Sequence, residues 1–193
     1  MKSIFLDTET TGLKPGRIVQ LTYIIEENKK FSRAKNFFFM VEDWEMDERA
    51  AQVHGFTVDR LAVLSNGQLF EDAVDEIKED FKDGIFIAHN SNFDKKFIDA
   101  EFGKLNISCN TKREFCTMKY FKDILKLPAR RGNGYKNPKV EEVMHFYDID
   151  ADYVLEKTKK IFDCEDISFH DARYDTMAMY ICCLKSQNRN IDV

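Results

Sequence analysis

The chain lacks any run of about 18 apolar residues, so no membrane-spanning helix is legible in it. Its first residues also lack the charged-then-apolar leader and cleavage site of an exported protein. A cytoplasmic protein with no membrane partner is the expectation. The five cysteines, at 109, 116, 164, 182 and 183, form no Cys-x-x-Cys pair. An odd number without a secretion signal reads as reduced thiols rather than a disulfide framework, and zinc is not implied. Cys182 and Cys183 lie in an apolar helical stretch, where small buried side chains are the expected role. A basic excess is missing too: the net charge of −5 argues against tight, extensive duplex binding. No internal repeat, linker or low-complexity segment stands out.

What is present is a chain of 193 residues, 44% hydrophobic, with 17 phenylalanines. That length and composition fit a single packed domain over residues 1–193 rather than a disordered chain. Residues 2–9, 17–27 and 34–41 are rich in β-branched and aromatic side chains and predict a three-stranded antiparallel meander. Short helical turns are expected over 47–53 and 57–64, a helix over 70–82 and a buried strand over 85–89. A helix over 93–105 follows, with Asn92 as its expected N-cap. Residues 113–116 fit a fifth strand and 117–125 a helix. Residues 141–147 fit part of a longer helix entered after Pro138, and 170–185 a long C-terminal helix. Strands first and alternating elements later suggest an α/β mixed sheet flanked by helices.

Against this background two acids draw the eye. Asp7 and Glu9 end the apolar opening run, and residues two apart on a strand share a face. Two adjacent carboxylates repel each other unless a cation sits between them, and an all-oxygen pair suits a hard metal such as Mg²⁺ or Mn²⁺. Taken alone, the pair reads better as two solvated acids at a strand end. Three further blocks follow in order: His54-Gly55, the stretch Ile87-Ala-His-Asn-Ser-Asn-Phe-Asp94, and His170-Asp-Ala-Arg-Tyr-Asp175.

Together these residues resemble the DEDDh 3′-to-5′ exonuclease family, which includes the epsilon-like proofreading exonucleases of bacterial DNA polymerase III. The first motif corresponds to Phe5–Leu13, the second to Ala88–Asp94 and the third to His170 with Asp175, while Val53-His54-Gly55 matches an element between the first two. The resemblance runs from about residue 2 to about residue 184. It implies a ribonuclease H-like fold with a five-stranded mixed sheet. It also implies two divalent cations, Mg²⁺ or Mn²⁺, with Asp7 bridging both, Glu9 and Asp175 holding the one that activates water, and Asp94 supporting the other. By the same resemblance Thr10 and Thr11 lie near the terminal nucleotide and Leu13 wedges against its base. His54 reaches its sugar or phosphate, and Asn90 and Phe93 line the far side. His89 is expected to be structural. The four acids account for four of the five net negative charges, so the acidic balance does not exclude nucleic acid.

His170 and Asp175, five apart, would lie about 140° from eclipsed on one helix, so His170 belongs at the helix start or in the loop before it. An imidazole there could accept a proton from the attacking water near neutral pH; a cap or surface role is the plainer alternative. Asp171 is assigned no catalytic role and fits a first-turn helix charge. Lys126–Lys139 holds five basic residues and no acid, so Arg130, Arg131 and Lys136 either meet phosphates of an incoming strand or form a solvated loop. Lys157, Lys159 and Lys160 fit an ordinary charged helix face. The expected activity is removal of nucleoside 5′-monophosphates from 3′ ends of single-stranded or frayed DNA. The alternatives are RNA trimming by an enzyme of the same superfamily, or a non-catalytic module that grips nucleic acid or a polymerase. A polymerase partner is possible on this resemblance, but only 18 residues follow Asp175, which leaves no docking extension and favours either a free-standing enzyme or a catalytic domain cut from a longer chain.

Overall fold

The computed structural model describes residues 1–167 and 170–191. A five-stranded mixed sheet carries the fold, in the order β3-β2-β1-β4-β5. Strands β1 (Lys2–Thr10), β2 (Ile18–Glu27) and β3 (Lys30–Phe38) form the antiparallel meander, and β4 (Ile85–Ala88) and β5 (Arg113–Cys116) add to β1 in parallel. Helices α1 (Glu48–His54), α2 (Val58–Ser65) and α3 (Phe70–Phe81) lie between β3 and β4. Helix α4 (Ser91–Lys104) joins β4 to β5, and α5 (Thr117–Leu125), α6 (Val140–Phe146), α7 (Ala151–Phe162) and α8 (Ala172–Ser186) follow. A 3-10 turn, Asp43–Glu45, precedes α1. No helix among the described residues is long and apolar enough to cross a membrane.

The sheet is buried on both faces because β1 alternates two apolar sets. Ile4 and Leu6 join Tyr23, Ile77, Phe86 and Phe97 in one core, with α3 and α4. Phe5 faces the other way and packs with Ile24, Val143, Val154 and the α8 residues Met177–Leu184 in a second core. Every residue from Thr176 to Leu184 is buried, so α8 is covered on all sides, by β1 and β2 and by α6 and α7. Cys182 and Cys183 are small buried members of that packing, as expected.

Several boundaries differ from expectation for local reasons. Strand β3 starts four residues early because Asn28 and Lys29, both at positive φ (53° and 66°), make a two-residue hairpin turn that pairs Glu27 with Lys30. Helix α4 is capped by Asn90 rather than Asn92. The expected long helix around residues 141–147 is only α6, which stops at Tyr147 ahead of Asp148 at φ 52°. The chain restarts as α7, whose N-cap Asp150 accepts from the N–H of Asp152 at 2.7 Å. Helix α8 begins two residues later than expected, which leaves His170 outside it.

Candidate active site

Asp7 and Glu9 point to the α8 face of β1, in register with Phe5. They stand opposite Thr22 and Gln20 of β2, and a register shift follows at Glu9/Thr10 where the strand ends. Helix α8 crosses this face and brings Asp175 in its first turn, so that ligand atoms of Asp7, Glu9 and Asp175 lie within 4.8 Å of one another. Strand β4 ends beside β1, and the turn at Asn90, in the left-handed region at φ 77°, starts α4 and delivers Asp94. Asp94 is buried and accepts a hydrogen bond from the Thr8 hydroxyl at 2.9 Å. It stays outside the three-carboxylate group yet close enough to raise the carboxyls of Asp7 and Glu9.

The electrostatics follow from burial without countercharge. Burial first, then repulsion from Asp94, Asp175 and Glu9, pushes Asp7 well above the ordinary carboxylate range. Glu9 is pushed up to about 9 by burial and by Asp175, Asp171 and Asp94. Asp94 is pushed up to about 7 by burial, against the lowering effect of the Thr8 hydrogen bond. Asp175 is pushed up to about 7 by burial, Glu141 and Asp171. No lysine or arginine pairs with any of the four among the described residues. A divalent cation bound by oxygen donors is the partner that such a set fits, and Asp7, Glu9 and Asp175 are the residues placed to hold it.

His170 sits in the loop before α8 at φ 52° and is exposed. It lies near enough to His54 to contribute to the depression of that ring's titration, after the larger effect of burial. Asp171 is the α8 N-cap rather than a first-turn charge: it accepts from the Arg173 N–H at 3.0 Å and from Gln20 Nε2 at 2.9 Å, and pairs with the Arg173 guanidinium at 2.6 Å.

The expected substrate residues gather around a cleft of about 690 Å³ that opens from Glu9. Thr10, Thr11, Leu13, His54 and Phe93 all line it; Asn90 is exposed at the α4 cap and does not. Leu13 is 89% exposed at the rim, and Phe93 backs onto the Phe97 ring at 5.0 Å. The two threonine hydroxyls are used internally: Thr10 donates to Gly12 O, and Thr11 accepts from the Arg17 N–H. His54 is buried, its Nδ1 accepting from the Phe56 N–H at 3.0 Å and its Nε2 facing Thr10 O at 3.3 Å. Both nitrogens are therefore tied to backbone, and the ring shapes the wall rather than presenting a free donor. Gly55, at φ 73°, makes the turn that lets Phe56 fold back onto that ring. His89 is structural, with Nδ1 on the Thr117 hydroxyl and Nε2 on Pro138 O.

Three contributors escaped sequence reasoning. Thr8 hides between the two acids, and strand alternation alone would have aimed it at Asp94's side of the sheet. Gln20, opposite Glu9, also accepts the Ala172 N–H, coupling β2 to the start of α8. Glu141 faces Asp175 from α6, and no spacing signal marks it.

The family model described as Exonuclease (RNase_T) matches residues 4–182. This chain belongs to that exonuclease family. It is a nuclease of the phosphodiester-hydrolase kind. Among curated relatives, the DNA polymerase III subunit epsilon of Buchnera aphidicola subsp. Schizaphis graminum (strain Sg) is 30% identical over 141 residues, 69% of this chain and 58% of that protein. The epsilon subunit of Salmonella typhimurium (strain LT2) is 27% identical over 156 residues, 77% of this chain and 61% of the relative. The exonuclease chain thus spans about three-fifths of the length of these relatives. In fold it is similar to Exonuclease X in complex with 5′ overhanging duplex DNA, at TM-score 0.63 and 16% identity over 98% of this chain and 95% of that one. It is also similar to E. coli Exonuclease I in complex with a dA16 oligonucleotide, at TM-score 0.70 and 15% identity over 98% of this chain and 41% of that one.

Proposed function

We propose that this exonuclease works in the 3′-to-5′ direction, depends on Mg²⁺ or Mn²⁺, and releases nucleoside 5′-monophosphates from single-stranded or frayed DNA. The observation that carries the reading is the convergence of Asp7, Glu9 and Asp175 within 4.8 Å of one another, with Glu9 also lining a cleft of about 690 Å³. Two divalent cations, when bound, supply charge neutralisation on the phosphoryl oxygens and stabilise the attacking and leaving oxygens. The protein's part is to place them. Asp7, Glu9 and Asp175 offer oxygen ligands, and Asp94, held by Thr8, adds a fourth carboxylate beside them. His170, on its loop ahead of α8, accepts the proton of the attacking water at a ring nitrogen. Leu13 and Phe93 hold the terminal base through apolar contact, which tolerates any base and so suits stepwise removal. The Thr10–Gly12 stretch and the His54-braced wall, both lining the cleft, orient the sugar.

The test is a time course on matched 5′-labelled single-stranded DNA and RNA with Mg²⁺ or Mn²⁺, beside Asp7→Ala. The expected result is a one-nucleotide ladder shortening from the 3′ end and a loss of more than about a hundredfold in the variant, because even outer partners of metal ligands cost about 10–100-fold. Faster RNA decay would instead favour the trimming role, and no decay with either metal would sink the catalytic proposal in favour of a binding module. The epsilon relatives are named as polymerase subunits. Co-elution with a DNA polymerase in gel filtration therefore checks a proofreading setting.

A further inference from the structure

A short basic hairpin stands beside the acidic site. Pro128 bridges antiparallel to Tyr135, the Ala129 N–H donates to Gly134 O at 3.1 Å, and the Lys136 N–H donates to Leu127 O at 2.9 Å. The tip is Arg130-Arg131-Gly132-Asn133, with Gly132 turning the chain at φ 76°. From Lys126 to Lys139 there are five basic residues and no acid. Lys136 is engaged by Glu142. Arg130 and Arg131 are exposed, and no carboxylate pairs with them among the described residues.

The foot of this hairpin is fixed at the site. His89 Nε2 donates to Pro138 O at 2.9 Å, and His89 directly precedes Asn90 and the turn that carries Asp94. On the other side α6, which starts at Val140 directly after Lys139, packs on α8, the helix that carries Asp175. The foot of the hairpin is therefore tied at one end to the turn that starts α4 and continues at the other into a helix packed on α8. The cleft itself carries mixed charge, with Lys14 and Arg49 lining it beside Glu45 and Asp47, so the hairpin is the part of these surroundings with basic residues and no acid. A strand whose last nucleoside occupies the cleft carries a charge at every phosphate, and the basic hairpin attracts it.

From this juxtaposition we infer that the 127–136 hairpin is a backbone clamp, in which Arg130 and Arg131 hold phosphates of the single strand upstream of the scissile bond. The inference rests on the 3′-exonuclease proposal, and it assigns the strand's path rather than the chemistry. Because a clamp of this kind reads charge and not bases, it adds affinity without sequence preference.

The experiment compares the wild-type chain with Arg130→Ala/Arg131→Ala and Arg130→Lys/Arg131→Lys. Binding of a 5′-labelled oligothymidylate is followed by fluorescence anisotropy in EDTA across a salt series, so that no cleavage intervenes. The alanine pair is expected to bind roughly tenfold more weakly and to show a log–log salt slope shallower by about 1.4, since each phosphate contact on a single strand contributes about 0.7. The lysine pair should restore most of both. With Mg²⁺, hydrolysis of the p-nitrophenyl ester of thymidine 5′-phosphate, which has no upstream strand, should be unchanged in all three proteins, while KM for the oligonucleotide rises in the alanine pair. An unchanged salt slope and KM in the alanine pair overturns the clamp even if the wild type degrades DNA. A slope that falls as expected in a wild type without nuclease activity overturns the exonuclease proposal and leaves the clamp standing.

Discussion

At the residue scale the site rests on side chains that hold other side chains. Asp94 is buried and its carboxyl is pushed up to about 7, yet the Thr8 hydroxyl donating at 2.9 Å opposes that rise. Removing the hydroxyl while keeping the branched shape isolates this contribution. Thr8→Val should raise the Asp94 carboxyl further and let it rotate, which weakens cation binding and lowers activity by about tenfold at limiting metal, within the 10–100-fold range for outer partners of metal sites. Titrating Mn²⁺ in the nuclease assay checks it, with the loss shrinking at saturating metal; an equal loss at all metal concentrations would instead mean that Thr8 acts on packing. His54 presents the opposite arrangement. Both its nitrogens are tied to backbone, so a role in binding substrate passes through the position of Thr10 rather than through a donated hydrogen bond.

At the element scale the site depends on where three chain segments start and stop. The N-cap of α8 is the most connected of these: Asp171 meets Gln20, Arg173 and the helix backbone, and it is 1% exposed. Asp171→Ala removes the cap, leaves the Arg173 guanidinium without its carboxylate and frees Gln20. A loss of about 2 kcal/mol is expected, the upper part of the capping range, because the position is buried. Urea unfolding measures it, and Asp171→Asn, which keeps the cap acceptor, should lose less. A loss of only a few tenths would show that β2 and α8 are held by apolar packing alone. These same boundaries show what a single sequence makes legible. The mixed sheet, β5 and α5 were readable, since period-2 and period-3.6 patterns are local; the four carboxylates stood out only through the motif resemblance, and the structure brings Asp7, Glu9 and Asp175 together with Asp94 outside that group. The hairpin turn at Asn28-Lys29, the Asn90 cap and the late start of α8 were not, because each depends on a residue in the left-handed region whose choice is settled by packing around it. Glu141 was invisible for a different reason: its approach to Asp175 is created by tertiary contact between α6 and α8.

At the scale of the whole molecule, two apolar cores on either side of one sheet support a site that opposes folding when empty. Unfolded carboxyls titrate near 4, whereas in the fold Asp94 and Asp175 are pushed up to about 7, Glu9 to about 9, and Asp7 is raised as well. Between these limits the folded chain holds more protons than the unfolded one, so raising the pH through that window destabilises the metal-free protein. Cations bind the deprotonated carboxylates and reverse the trend, adding about 2.7 kcal/mol when present at a hundred times their dissociation constant. Thermal melts in EDTA should therefore show Tm falling from mildly acidic to mildly alkaline pH. Mn²⁺ should raise Tm more at the alkaline end, where it no longer competes with protons. Asp7→Asn removes one of the repelling charges from the centre of the cluster, so its metal-free Tm should fall less steeply with pH and respond less to Mn²⁺. If the metal-free protein became more stable across the same interval, the carboxylates would have to be paired in the fold, and the cation would lose its part in holding the site together.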